Sequence, residues 1–364
     1  MFIILNFFFH TVHAGGFSAG ALIANHEVVL GIDNCPEALK CFAANTESEA
    51  RCLTLPCDVD WPVGDDLHVH FSPPCTALSR ARAGQASVEE VDGGLGHLKW
   101  ALRTIVKEQF SSFSIETVSV PATRALMSEF KEKNPDTFSF DTFECADFGV
   151  PQTRKRIICG PPQLIKRLQS APTTQRVSVR EVFSSEELPA KFLKNTTSCP
   201  LGAGARCVRS YEQPSFTVCG ARSLSWCDSN GATVRCMRPR ELAALQTFPR
   251  WWRLPTRSRA AILAVGNAVP AEMAASVIRA AAAEAAIVVQ PTLGATALAA
   301  CPSHVRNQKN EPGALTCTPG KKRSRVDDLK VLEHLVSSLE RRVRDLESSG
   351  MENSEVFVSE SSST

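Results

Sequence analysis

Nowhere does the 364-residue chain offer the eighteen or so consecutive apolar residues that a membrane-crossing helix needs; Ala280 to Val289 is too short and too rich in alanine. A soluble protein with no membrane partner is expected. The fourteen cysteines contain no C-x-x-C pair and no Cys/His cluster with zinc spacing, so no metal site and no zinc module is expected. Spread over so long a chain, they fit a reduced intracellular protein better than a disulfide framework. The apolar start, Met1 to Phe9, has no basic residue ahead of it. That argues against a secretory leader, despite the cleavage-like Val12-His13-Ala14, and for the buried first strand of a parallel sheet. Strong net charge is missing too, at +2 overall. This average hides an asymmetry, because Pro151 to Arg259 holds 19 Lys and Arg against 6 Asp and Glu. The rest is therefore net acidic, and a polyanion would meet the middle third.

What is present alternates. Phe2 to Phe9, Glu27 to Ile32, Leu67 to Phe71, Ser112 to Ser119 and Arg156 to Cys159 read as strands, with helical patterns at Cys35 to Asn45, Gly96 to Gln109 and Thr123 to Asn134. Such alternation predicts a doubly wound, Rossmann-like α/β sheet over 1–160. From Pro161 to about Ser229 Pro, Ser, Arg and Cys dominate with no long periodic helix, as in a smaller, loop-rich domain. Helical periodicity returns at Arg238 to Leu245 and Pro270 to Ala286. Residues 289–325 have linker composition and carry the basic run Lys321-Lys322-Arg323-Ser324-Arg325. In 326–347, Leu329, Leu332, Val336, Leu339, Val343 and Leu346 are spaced 3, 4, 3, 4, 3, which fits either a short self-associating coiled coil or an amphipathic helix docked on its own domain. Residues 348–364 read as a disordered tail.

The chemistry lies in a few short segments. Phe71-Ser72-Pro73-Pro74-Cys75-Thr76-Ala77-Leu78-Ser79 follows a predicted strand, which puts Cys75 at the carboxyl edge of the sheet, where α/β proteins bind ligands. Two prolines stiffen the approach to a thiol, and a thiolate is the side chain best suited to add to an electron-poor ring carbon. Glu116 stands near the end of an apolar strand, where a buried carboxyl group can hydrogen-bond or protonate a ring nitrogen. Gln152, Arg154 and Arg156 lead into another strand, the two arginines on one face of extended chain and able to bind a carbonyl or a phosphate. Ala14-Gly15-Gly16-Phe17 is a glycine turn opening a helix, suited to close approach of a carboxylate-bearing ligand.

Together these segments resemble the DNA cytosine-5 methyltransferase family, in matching order along nearly all of residues 9 to 285. The blocks are Pro73-Pro74-Cys75, Glu116-Thr117-Val118, Gln152 with Arg154 and Arg156, Arg240 to Pro249, and Val265-Gly266-Asn267-Ala268-Val269-Pro270. The resemblance implies transfer of a methyl group from S-adenosylmethionine to carbon 5 of cytosine in double-stranded DNA. Cys75 would attack carbon 6 of a flipped-out base, Glu116 would contact ring nitrogen 3, Arg154 would bind the carbonyl oxygen and Arg156 would support the loop. Gly15, Gly16, Phe17, Asp33, Asp58, Pro74, Asn267 and Val269 would hold the cofactor, Asp33 accepting from ribose hydroxyls and Asp58 meeting the adenine amino group. It also implies a catalytic domain of 1–160 completed by 262–288. Residues 161–261 would form a target-recognition domain and hinge, with Ser79, Arg206, Arg209 and Arg222 as candidate DNA contacts. The expected location is the nucleus in a eukaryote and the cytoplasm otherwise. Three positions depart from the family: His13 stands for a glycine, Thr76 for a glutamine and Thr117 for an asparagine. A relative that binds DNA without turnover and one that methylates transfer RNA therefore stay open as alternatives.

Overall fold

A computed structural model describes residues 2–6, 14–62, 67–74, 78, 88–171, 174–183, 188–195, 207–220 and 224–288. Cys75, Thr76, Ser79, His13, Arg206 and Arg222 lie outside them, as do the linker, basic run, heptad seam and tail beyond 288. The chain runs β1 (Phe2–Asn6), α1 (Gly16–Ile23), β2 (Val28–Asp33), α2 (Pro36–Thr46), β3 (Glu49–Cys52), β4 (His68–Ser72), α3 (Val88–Glu108), β5 (Ser112–Val118), α4 (Pro121–Lys133), β6 (Ser139–Glu144), β7 (Lys155–Gly160) and α5 (Pro162–Ser170). It continues through α6 (Val179–Val182), β8 (Phe192–Asn195), β9 (Val208–Ser210), β10 (Leu224–Cys227), β11 (Thr233–Cys236), α7 (Pro239–Leu245), α8 (Ser258–Asn267) and α9 (Ala271–Val288).

Seven strands form one sheet in the order β3-β2-β1-β4-β5-β7-β6, parallel except where β7 runs against β5 and β6. β1 pairs with both β2 and β4, so the strand order reverses there and the carboxyl edge opens into a crevice. Helices cover both faces. Phe17 and Ala21 of α1, Leu164 and Ile165 of α5, and Met273 and Val277 of α9 close one side. Leu98, Leu102 and Ile105 of α3 with Met127 of α4 close the other, over Val69, Phe71, Phe113 and Ile115. Burial on both faces is what a parallel sheet requires. Proline begins α2, α4 and α7, at the one helical turn where its missing N–H costs nothing.

A second sheet, antiparallel and ordered β11-β10-β8-β9, packs Leu193, Leu224 and Trp226 against Leu242 and Leu245 of α7 and Ile262 and Val265 of α8. Ala14, Ala19 and Ala271 join the same cluster, so this sheet is welded to the glycine turn and to α9.

Several elements escape the sequence patterns, among them α8 and the four strands of the second sheet, and three in and around the first sheet show why. β3 is a four-residue edge strand without apolar alternation, and β6 an edge strand of half-buried residues, so neither carries the signal of a buried strand. α5 is a nine-residue helix in the stretch expected to lack one; Leu164, Ile165 and Leu168 give it a single buried stripe against β7 and α9. The packing of the first sheet thus continues to Ser170. By length and mean hydropathy Ser258–Ala282 would pass for a membrane span, but 78% of its most apolar 18-residue window is buried inside the fold. Cys207 is disulfide-bonded, a departure from the reduced chain expected, whereas nine other described cysteines are free.

Candidate active site

The cofactor side begins at the amino end of α1. Gly15 caps the helix with φ +74°, a left-handed conformation that glycine adopts without strain, and the Trp252 indole lies where a Cβ would project. Trp252 fixes the turn further, its Nε1 donating to the Ala14 carbonyl at 2.7 Å. Gly16 lies against the Val269 carbonyl so closely that no side chain fits between them. At the carboxyl end of β2, Asp33 is 3% exposed. The Cys35 N–H donates to its Oδ1 at 2.8 Å, while Oδ2 has no partner. Burial pushes its carboxyl up to about 8, against the pull of backbone N–H groups from Cys35 and Asn34. Gly15, Gly31, Ile32, Asp33, Ala38, Leu39 and Phe42 line one small cleft. A glycine cradle beside an unsatisfied buried carboxyl group fits a ligand that brings hydroxyl donors. Asn267 ends α8 with a buried and unpartnered Nδ2, a donor without an acceptor.

Not every expected cofactor contact is there. Phe17 turns inward, its ring stacked 3.4 Å from that of His70, because the first turn of α1 presents that position to the sheet rather than to the cleft. Asp58 is on the surface, its side chain 80% exposed and 4.0 Å from Lys107 Nζ, so it does not join Asp33. Pro74 is half-buried at the end of the described loop.

On the other side of the strand-order reversal stands Glu116, on β5 and 5% exposed. Arg156, on neighbouring β7, crosses to it diagonally, with Nε 2.8 Å from Oε1. Both side chains are largely shielded from water, where an ion pair is felt far more strongly than on the surface. Arg154 is turned elsewhere. Its Nη1 donates to the Val218 carbonyl at 2.8 Å, and its Nη2 donates to the carbonyls of Ala268 at 3.0 Å and Gly266 at 3.3 Å. Burial, with Arg156 alongside, draws this guanidinium down to about 10, so it remains charged at neutral pH. Arg154, expected to face the base, is instead tied into the scaffold, and Arg156 is the arginine beside Glu116.

A clamp of two glutamines, which the sequence did not disclose, surrounds Arg154. Gln152 Nε2 donates to the Leu245 carbonyl and to Gln246 Oε1, both at 2.8 Å, and its Oε1 accepts from the Val218 N–H at 3.0 Å. Gln246 Nε2 in turn donates to the carbonyls of Val265 at 2.6 Å and Ala268 at 3.1 Å. One buried network thus joins the segment before β7, the end of α7 and the end of α8. Arg209 is also consumed internally: Nη1 donates to Thr153 Oγ1 and to the carbonyls of Pro214 and Ser215, and its guanidinium sits 4.1 Å above the Phe216 ring. It is a brace between β9 and the Thr153 segment, not a free DNA contact.

With this geometry in hand, comparison with known proteins is decisive. The family model for C-5 cytosine-specific DNA methylase matches residues 12–163 and 203–283. The chain belongs to that family. Its members methylate cytosine with S-adenosylmethionine, and this methyltransferase takes the same cofactor. Type II methyltransferase M.AplI of Arthrospira platensis is 24% identical over 296 residues, spanning 73% of this chain and 82% of that one. Among solved structures, a prophage-encoded DNA modification methyltransferase of E. coli is similar with TM-score 0.53 and 14% identity, covering 77% of this chain and 98% of its own. Dnmt2 of S. pombe reaches TM-score 0.52 at 14% identity, covering 78% and 99%. At these identities the structural likeness bears on the fold, a mixed α/β sheet of the S-adenosylmethionine-dependent kind.

Proposed function

We propose that this methyltransferase acts on carbon 5 of cytosine in double-stranded DNA, through a covalent adduct between Cys75 and carbon 6 of a flipped-out base. The observation that carries this reading is the shielded Glu116–Arg156 pair at 2.8 Å, on the carboxyl side of the strand next to the one that leads into Pro73-Pro74-Cys75. A carboxyl group and a guanidinium side by side match the ring nitrogen 3 and carbonyl oxygen of cytosine, the two atoms that gain electron density when a thiolate adds to carbon 6. S-adenosylmethionine supplies the methyl group, with Asp33 receiving its ribose hydroxyls and the Gly15–Gly16 turn admitting its amino-acid end. Cys75 bonds to carbon 6, and carbon 5 thereby becomes the nucleophile that takes the methyl group. Loss of the carbon 5 proton then expels Cys75 as the thiolate, so one proton is released for each methyl group transferred.

The excess of positive charge between Pro151 and Arg259 supports a polyanionic partner, and phosphate contacts can offset the few kcal/mol needed to unstack one base. In this reading residues 161–261 choose the target, and the seam at 329–346 brings copies together.

The test is incubation of the full chain with labelled S-adenosylmethionine and either mixed-sequence duplex DNA or RNA, beside Cys75→Ala. Label in DNA cytosine that vanishes with Cys75→Ala is expected. Label confined to RNA would transfer the reading to an RNA substrate. Cofactor and DNA binding with no label in either nucleic acid would identify a DNA-binding relative without turnover.

A further inference from the structure

The two walls of the Asp33 cleft come from separate helices. The Gly15 turn at the start of α1 forms one, and Ala38, Leu39 and Phe42 of α2 form the other. In the function proposed above, the turn admits the amino-acid end of the cofactor, and Asp33, beside α2, receives its ribose hydroxyls. Two consecutive residues in the segment after α7 reach both walls.

Trp252 holds the turn. Its side chain is fully buried, Nε1 donates to the Ala14 carbonyl at 2.7 Å, and Cζ2 lies 3.0 Å from where a Cβ on Gly15 would stand. Arg253 is hooked to α2 through its main chain. Its N–H donates to Asn45 Oδ1 at 2.8 Å, and its carbonyl accepts from Asn45 Nδ2 at 3.0 Å and from Cys41 Sγ at 3.2 Å. The segment is held in turn by α7 and the chain that follows it: Arg240 Nη1 donates to the Trp252 carbonyl at 2.6 Å, and the Trp252 N–H donates to the Pro249 carbonyl at 3.0 Å. Neighbouring peptide units thus grip α1 and α2, across 238 positions to Ala14 and 208 to Asn45.

We propose that Trp252 and Arg253 form a tie that sets the spacing between the two walls, and that this spacing selects ligands carrying an amino-acid end and a ribose together. The inference rests on the reading of the Asp33 cleft as the place where S-adenosylmethionine binds. A ligand that spans both walls binds them as a linked pair, so its affinity depends on how firmly they are held at its own length. A ligand that meets only one wall does not feel the spacing. With the tie intact the walls are set before the ligand arrives; with it cut, the ligand has to set them at the expense of its own affinity. Trp252 and Asn45 are positioning residues, acting through the turn and through α2.

Calorimetry on the full chain tests the tie with two probes. S-adenosylhomocysteine has both ends, whereas 5′-methylthioadenosine keeps the ribose and the thioether and lacks the amino-acid end. Trp252→Phe keeps a packed ring and removes the N–H donor, and Asn45→Ala frees the Arg253 main chain. Each should weaken S-adenosylhomocysteine about tenfold, as for one hydrogen bond whose loss the ligand feels, and change 5′-methylthioadenosine by less than about twofold. The double variant should bind S-adenosylhomocysteine within about twofold of the weaker single one, because a tie cut at one end has nothing left to lose at the other. Misfolding would lower the number of binding sites and leave the dissociation constant alone, so it does not imitate this result. Equal losses for both probes, wild-type affinity for S-adenosylhomocysteine in either variant, or losses that multiply in the double variant would overturn the tie. Asp33→Asn separates that failure from failure of the cleft reading. It should weaken both probes, which share the ribose hydroxyls; if it weakens neither, the cofactor binds elsewhere and the tie falls with the cleft.

Discussion

The two sides of the carboxyl edge handle buried polarity in opposite ways. Around Gln152, Arg154 and Gln246 the side-chain amides and the Arg154 Nη atoms bond to protein, chiefly to the carbonyls of Val218, Val265, Gly266 and Ala268. At the cleft lined by Gly15 and Asp33 the reverse holds, with Asp33 Oδ2 buried and unbonded. Leaving a buried polar atom unpaired costs on the order of 1–3 kcal/mol, so a fold keeps one where a ligand will complete it. The network is largely, not wholly, bonded within the protein, since Arg154 Nε has no partner, whereas the Asp33 cleft presents an unbonded carboxyl oxygen. Arg154 and Arg156, two residues apart, take different partners: Arg154 bonds to main-chain carbonyls and Arg156 pairs with Glu116.

The largest effect expected from breaking this contrast is at Arg154. Arg154→Ala strands several carbonyls and should cost roughly 3–5 kcal/mol in a denaturant titration, as breaking a buried charged network does. Arg156→Ala leaves Glu116 buried and unpaired, so it also costs stability, but unlike Arg154→Ala it should lower the methyl-transfer rate by about a hundredfold in samples that remain folded, a typical loss for a group acting on the reacting base. If the two substitutions have the same profile, the division of roles is wrong. Next is Asp33→Asn, for which calorimetry should find cofactor affinity weaker by about ten- to a hundredfold, about 1.5–3 kcal/mol, with the fold intact.

The pH dependence sharpens the same point. Asp33 holds its proton in the folded chain up to pH about 8 but would release it near 3.8 when unfolded, so its folded-state pKa is raised. Between those values the folded form binds more protons than the unfolded one, and this group's contribution to stability falls as pH rises. Cofactor hydroxyls favour the carboxylate, so binding expels the proton. Affinity should therefore weaken by up to about tenfold per unit as pH falls below 8, and Asp33→Asn should flatten that slope. The smallest effect is expected at Arg209: Arg209→Ala should cost about 1 kcal/mol of stability and leave nucleic-acid affinity within about twofold, because its donors and its ring contact are internal. A tenfold loss of affinity in a filter-binding assay would return it to the nucleic-acid surface.

Much of this was legible in the sequence. The strand and helix periodicities marked five of the seven strands of the main sheet, and Pro-Pro ahead of Cys75, Glu116 near a strand end and the Gly15-Gly16 turn all lie in short local patterns. Edge strands β3 and β6 escaped because half-exposed strands lack a buried strand's apolar run. The assignments that changed share one cause. Arg154 against Arg156, Phe17 turned inward, Asp58 left on the surface and Arg209 used as a brace all depend on which way a side chain leaves the backbone and what lies 3 Å away.

The sequence by itself determined the family and the order of its blocks, since chemistry requires particular residue types at fixed local spacings. Only the tertiary structure decided which arginine faces Glu116 and that Gln152 and Gln246 lock three distant segments together. Those facts join residues up to 114 positions apart, as Arg154 is from Ala268, and hydrogen bonds over such separations follow from packing that no local pattern encodes.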